Sequence, residues 1–286
     1  MKLVYLSTAR IPSETANSFQ VLQMCNAFQE RGAELTLLHP RRVNTPAMRA
    51  VQDIHAYYGM RLEFSRFALP VLDLIWTAGS LHAPQRLQAL AHRLMIASYR
   101  RNARQILRAR PADWLYTRDL LLVQGLPQDM PICCELHARP ASPRDQVKEM
   151  RLLKQVNKLV VITSQLQKQF IQAGVPPERI LCAPDGVDLQ RFRDYQPASV
   201  VGQAELRRKL GLPEAAWIVG YAGRLPTLGK QKGLGDLLQA FKLLRQQQAM
   251  RNPVLVVVGG PDEMIADLQA HAAEIGLDPA AVCFAG

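Results

Sequence analysis

Residues 158–183 read KLVVITSQLQKQFIQAGVPPERILCA. Lys158–Thr163 is a nearly unbroken apolar run rich in β-branched residues, with no polar alternation. Such a run fits a strand covered on both faces, as in a parallel sheet. Residues 164–173 have helical character, and Gly174 ahead of Pro176-Pro177 stops the helix. Arg179–Ala183 is a second apolar run. Strand, helix and strand in this order make a crossover unit, which places its two strands in parallel.

The same alternation extends in both directions. Further strands are predicted at Lys2–Ser7, Glu34–His39, Trp114–Thr117, Pro131–His137, Trp217–Ala222, Val254–Val258 and Val282–Ala285. Helices are predicted at 17–31, 82–109, 143–156, 203–210, 233–249 and 262–275, with Gly32 and Gly276 as further stops. The pattern predicts an α/β protein with doubly wound parallel sheets. Asp185–Gly202 has little periodicity and several charges, and reads as a connection between domains. The expected domains are 1–185 and 186–286. The second ends directly after its third predicted strand. A strand with no following helix leaves a sheet face and an edge uncovered, so this domain reads as incomplete.

The chain has 286 residues, 48% hydrophobic and 21% charged. That is enough apolar surface to exclude long-range disorder. No apolar run reaches the roughly 18 residues of a membrane-spanning helix. The first run, Leu3–Leu6, is shorter than the roughly 7–15 residues of a secretory signal. Five cysteines (Cys25, Cys133, Cys134, Cys182, Cys283) contain no C-x-x-C pair. They predict buried free thiols in a reducing cytoplasm, not disulfides or zinc. The six histidines form no H-E-x-x-H, so no metal site is expected. The net charge of +11 sits in one half. Residues 1–180 hold 24 of the 35 basic and 13 of the 24 acidic side chains. A basic half beside a neutral one predicts that the first half faces an anionic surface or substrate.

Chemistry gathers at Tyr221-Ala222-Gly223-Arg224-Leu225 and Lys230-Gln231-Lys232-Gly233. The first places Gly223 and Arg224 at the C-terminal end of a buried strand, where open α/β sheets bind ligands. The second opens a helix, whose free N–H groups favour anions. Arg224 with Lys230 or Lys232 would supply a fork and a point charge for a diphosphate. The phosphate loop of nucleotide triphosphatases is excluded, because five residues separate Gly223 from Gly229 and Gln231 replaces its Ser/Thr. The first strand is followed by Ser7-Thr8-Ala9-Arg10-Ile11-Pro12, which excludes a dinucleotide fingerprint. Gly259-Gly260 reads as a tight turn at the sheet rim.

Val161-Ile162-Thr163-Ser164, Gly174-Val175-Pro176, and Ile180 through Pro184-Asp185-Gly186-Val187-Asp188 to Phe192 resemble the central signature of group 1 glycosyltransferases. These are retaining, glycogen-synthase-like members of the GT-B superfamily. Gly223-Arg224-Leu225, Lys232-Gly233, Val257-Val258-Gly259-Gly260-Pro261 and Val282-x-Phe284-x-Gly286 are similar to later motifs of that family. Asp113–Arg118 and Glu135-Leu136-His137 resemble its N-terminal domain. The resemblance implies two Rossmann-like domains, an acceptor domain first and a nucleotide-sugar donor domain second. It implies that Arg224 and Lys232 hold the donor diphosphate, and that His137 at a strand end faces the donor sugar. The loop Pro12–Ser18 matches a loop in which the family usually carries glycines; this chain has Ala16-Asn17. Family members continue past Val282–Phe284 into a segment with a glutamate pair that grips ribose and sugar.

A last feature is basic. Arg86, Arg93, Arg100, Arg104 and Arg108 are spaced 7, 7, 4 and 4, one stripe at about 100° per residue. Upstream, Phe67, Leu69, Leu72, Leu74, Ile75 and Trp76 give Phe67–Leu81 interfacial character. Together they predict docking on an anionic membrane surface and access to a lipid-linked acceptor. No recognised nucleic-acid module is present. The expectation is a cytoplasmic glycosyltransferase, peripheral on the inner membrane face. It would move a sugar from a nucleotide-sugar donor to a glycan or lipid-linked acceptor with retention, needing no cofactor and no metal. The alternative is a non-catalytic basic α/β module that binds membrane or partner.

Overall fold

The apolar runs of the first half all become strands of one seven-stranded sheet, joined by one strand, Ser65–Pro70, that the sequence did not indicate. The seven are β1 (Lys2–Leu6), β2 (Glu34–Arg41), β3 (Ser65–Pro70), β4 (Trp114–Thr117), β5 (Ile132–Leu136), β6 (Lys158–Val161) and β7 (Ile180–Cys182). The computed structural model describes residues 1–75, 84–127, 129–190, 200–227, 230–247 and 251–285. It divides the chain into two units, Met1–Val187 and Asp188–Gly286.

In the first unit the seven strands run parallel in the order β3-β2-β1-β4-β5-β6-β7. Strand order reverses between β1 and β4, and ligands bind beyond the strand ends at such switch points. Side chains alternate across the pleat. Leu3 and Tyr5 pack under α1 (Ala16–Glu30), meeting Val21, Leu22 and Cys25. Val4 and Leu6 point to the other face, where Met95, Tyr99, Ala103 and Leu107 of a long helix form the core with Phe170. Cys133 and Cys134 fall on opposite faces by the same rule, in the two separate cores. Burial pushes the Cys133 thiol up to about 12 and Cys134 well above its ordinary range, which keeps both protonated.

Three one-turn helices go beyond the sequence expectation: α2 (Pro46–Arg49), α3 (Ile54–Tyr58) and, after the long helix α4 (Gln85–Ala109), α5 (Leu120–Val123). Each is too short for periodicity to reveal, and each begins at a side-chain cap. Thr45, Asp53 and Asp119 accept from Met48 N, Ala56 N and Leu121 N at 3.3, 2.9 and 3.1 Å. Two further helices, α6 (Pro143–Leu153) and α7 (Ser164–Gln172), follow β5 and β6.

Edge strand β3 corrects the interfacial reading of Phe67–Leu81. Its residues pair with β2, Leu69 is buried, and Phe67 and Ile75 pack against the core. Of the large apolar side chains in the described part, Leu72 and Leu74 face solvent, at 57% and 49% exposure. Trp76–Leu81 lie outside the described residues.

Among the described residues, the second unit contains α8 (Val200–Lys209) and three parallel strands. These are β8 (Trp217–Ala222), β11 (Pro253–Val258) and β12 (Val282–Ala285), in the order β12-β11-β8. Between β8 and β11 lie a two-residue pair, β9 (Pro226–Thr227) with β10 (Lys230–Gln231), and then α9 (Leu234–Gln246). Helix α10 (Asp262–Glu274) follows β11. Leu234, Leu238 and Phe241 of α9 and Leu268 of α10 close one face over Leu255 and Val257. On the other face Ile218 and Val258 are exposed.

Candidate functional site

The rim of the first sheet gathers polar side chains at the C-terminal ends of β4, β5 and β7. Glu135 is the only carboxylate on β5 and is 2% exposed. A buried carboxylate needs partners, and it has several. The Tyr116 hydroxyl from β4 donates to Oε2, and His137 Nε2 lies 2.5 Å from Oε1. Arg118 Nε stands 3.2 Å from the same oxygen as an ion pair. Gln20 of α1 bridges onward, with Nε2 2.9 Å from Asp185 Oδ1. Burial, then the neighbouring carboxylate, drives the Tyr116 phenol upward, so it serves as a fixed donor.

His137 is thereby committed at both nitrogens. Arg118 Nη2 donates to Nδ1 at 3.1 Å, because a guanidinium cannot accept. The bond set therefore assigns the ring proton to Nε2, facing Glu135. Asn17, one of the two residues singled out in the first loop, accepts from Arg118 Nη1 at 3.1 Å through Oδ1; Ala16 opens α1 and is exposed. The structure thus makes Arg118 the centre of a cluster in which the sequence assigned roles only to His137 and the Ala16-Asn17 loop. A charged residue inside the buried run Ile132–Leu136 was the available signal for Glu135.

Glu135, His137 and Asp185 bring ligand-type atoms within 4.8 Å of one another. The charge that balances Glu135 there is already Arg118, and a cation would have to displace it. The cluster is built as an ion-pair network.

Arg118 also lines a cavity of about 640 Å³ at the switch point, with Ser7 and Thr8 after β1, Asn17, and Lys148 of α6. Its charges are largely spoken for. Arg139 pairs with Glu149 at 2.8 Å and lies over the Phe170 ring at 4.9 Å. Asp119 caps α5 and accepts from Thr8 Oγ1 at 2.8 Å. Lys148 and Asp145 have no partner among the described residues. The lining carries three cations and three carboxylates, a polar wall without net charge.

In the second unit, β8 ends at Gly223 and Arg224. Leu225, fully buried, anchors the loop, while Arg224 is exposed and its carbonyl accepts from Tyr221 at 2.9 Å. Gly259 lets β8 and β11 close up at this rim. A Cβ there would lie 1.9 Å from the Gly223 carbonyl oxygen, and φ is 140°. Lys230 sits on β10, paired by its backbone with Thr227. Lys232 is exposed and precedes Gly233, which starts α9 in the left-handed region at φ 67°. Among the described residues no side chain caps α9, so its first N–H groups can face an anion.

The arginine stripe divides. Arg86, Arg93 and Arg108 are exposed. Arg100 is half-buried and donates through Nη1 to Gln124 Oε1 at 3.1 Å and to the carbonyls of Gln124 and Leu121. Arg104 is half-buried against Gly125. The reason is the neighbour that arrives there: the loop at Leu121–Gly125 meets the helix at Arg100 and Arg104.

Two Rossmann-like α/β units, the first with its switch-point cavity and the second with an uncapped helix start behind a strand end, define a protein of the GT-B class. A family model described as Glycosyltransferase Family 4 matches residues 18–191, and the chain belongs to that family. It is 31% identical over 140 residues to a D-inositol 3-phosphate glycosyltransferase of Salinispora arenicola (strain CNS-205), covering 48% of this chain and 31% of that one. A protein of the same name from Kineococcus radiotolerans is 26% identical over 254 residues, 84% of this chain and 55% of its own length. The chain thus spans between just under a third and just over half of these relatives. The crystal structure of Anabaena Alr3699/HepE in complex with UDP and glucose superposes with a TM-score of 0.62 at 16% identity. That match covers 99% of this chain and 68% of the other.

Proposed function

We propose that this protein transfers a sugar from a nucleotide-sugar donor to a hydroxyl acceptor, with retention of configuration. The observation that carries the reading is the start of α9. Among the described residues its N–H groups lack a side-chain cap, Lys232 stands just before its N-cap Gly233, and Arg224 leaves the adjoining strand end. A donor diphosphate would find there a helix dipole, a point charge and a guanidinium fork. As the bond from the sugar C1 to the diphosphate oxygen breaks, negative charge grows on the phosphate. Arg224 and Lys232 would stabilise that growing charge, which accelerates the step. The acceptor oxygen bonds to C1 from the same face, and its proton passes to the departing phosphate oxygen. Two cations do this work, so the reading asks for no metal. The solved HepE complexes with UDP and UDP-glucose support a nucleotide-sugar donor.

The acceptor would occupy the first unit's cavity. Its balanced charges suit a polyhydroxyl glycan, free or lipid-linked, whose hydroxyls bond to Lys148, Asp145 and Asn17. A lipid-linked acceptor would place the reaction at the cytoplasmic face of a membrane. The test is calorimetric titration with UDP and other nucleoside diphosphates. Each charge-assisted hydrogen bond is worth about 1.5–3 kcal/mol, so Arg224→Ala should weaken binding roughly ten- to a hundredfold, and Lys232→Ala comparably. Equal affinity in Arg224→Ala and wild type would place the diphosphate elsewhere.

A further inference from the structure

We propose that the outer face of α4 docks on an anionic lipid bilayer, through a set of residues different from the stripe the sequence suggests. The inference is independent of sugar transfer. At about 100° per residue, Arg86, Leu87, Leu90, Arg93, Arg101 and Arg108 fall within an arc of about 120°, and all are exposed. The opposite face, from Ala91 to Leu107, is the core side. From Gln85 to Ala109 the helix contains no Asp or Glu. None of these four arginines has an ion-pair partner among the described residues. A cationic surface of this kind, with no internal neutralisation, complements a negative one.

The apolar part is concentrated at one end. Leu87 and Leu90 are 54% and 51% exposed, on the first turns of α4. The chain leaving β3 runs along the helix flank toward the same end. Asn102 Nδ2 donates to Pro70 O at 2.6 Å, and Leu72 N donates to Ser98 Oγ at 3.0 Å. That path carries Leu72 and Leu74, both exposed. On α4, leucines beside arginines with no acid between them are the make-up of a helix that lies in the headgroup plane. Nucleic acid is disfavoured, because the face offers no aromatic platform for bases.

The test is co-sedimentation of the full chain with vesicles of phosphatidylglycerol and phosphatidylcholine, against phosphatidylcholine alone, at low and high salt. Binding is expected only to the anionic vesicles and should fall steeply with salt. Each arginine at a lipid surface contributes a factor of about five, so R93Q/R101Q/R108Q should lose about a hundredfold in partition. L87S/L90S should lose binding while keeping the wild-type circular dichroism. R100Q/R104Q, whose side chains turn toward the α5 loop, should lose much less. Equal binding to neutral vesicles, salt-independent binding, or an R93Q/R101Q/R108Q variant that partitions like wild type would overturn the proposal. So would retention of an oligonucleotide with no vesicle binding.

Discussion

Glu135 and Arg118 form the ion pair that organises the rim, and a double-mutant cycle measures it. Their side chains are 3% and 18% exposed, with Nε and Oε1 3.2 Å apart. At an effective dielectric near 20 that separation corresponds to about 5 kcal/mol of attraction. Removing one partner of such a buried pair costs about 3–5 kcal/mol, since the other is left uncompensated. Glu135→Gln keeps the shape and an oxygen for the Tyr116 hydroxyl, so the lower end, about 3 kcal/mol, is expected. Arg118→Gln should cost a similar amount by leaving Glu135 without its cation. The double variant should cost less than the two singles together, with a coupling energy of about 2 kcal/mol. Urea titration followed by circular dichroism supplies the four free energies. Nitrogen NMR of the His137 ring adds a readout that global stability does not. Wild type should show the proton on Nε2, and Arg118→Gln should release the Nδ1 preference. Coupling below about 0.5 kcal/mol, with an unchanged tautomer, would refute the network.

Two further outcomes follow from burial and close approach. His39 is 1% exposed on β2, and burial, then Arg66, pushes its pKa down from 6.5 to about 4. The unfolded chain therefore takes up a proton that the folded chain refuses, and stability falls as pH drops from 6.5 to about 4, by about 3 kcal/mol in all. His39→Gln should remove that slope, and parallel stability–pH curves for the two proteins would contradict it. Gly259→Ala would set a Cβ 1.9 Å from the Gly223 carbonyl oxygen and should destabilise the second unit by about 2–3 kcal/mol. Hydrogen exchange should then speed up in β8 and β11 with β1–β7 unaffected; unaltered protection in β8 would count against the close contact.

The amino-acid sequence alone determined most of the strands, because runs such as Lys158–Val161 are apolar on both faces, as strands of a covered parallel sheet are. It missed β3, since an edge strand reading Ser-Arg-Phe-Ala-Leu-Pro lacks that continuity. It also located the loop of Arg224 and Lys232, because a strand end and a helix start are local signals. What only the tertiary structure decided is which side chains meet. Tyr116, Arg118, Glu135, His137, Gln20 and Asp185 come from four separate elements, and nothing in their spacing pairs them. Likewise the five stripe arginines are equivalent in a helical projection. They part company only because the loop at Leu121–Gln124 offers Arg100 its carbonyls, while Arg86, Arg93 and Arg108 are left in water. Periodicity reports which face of an element is apolar; it carries no information about which neighbour arrives at the boundary of that face.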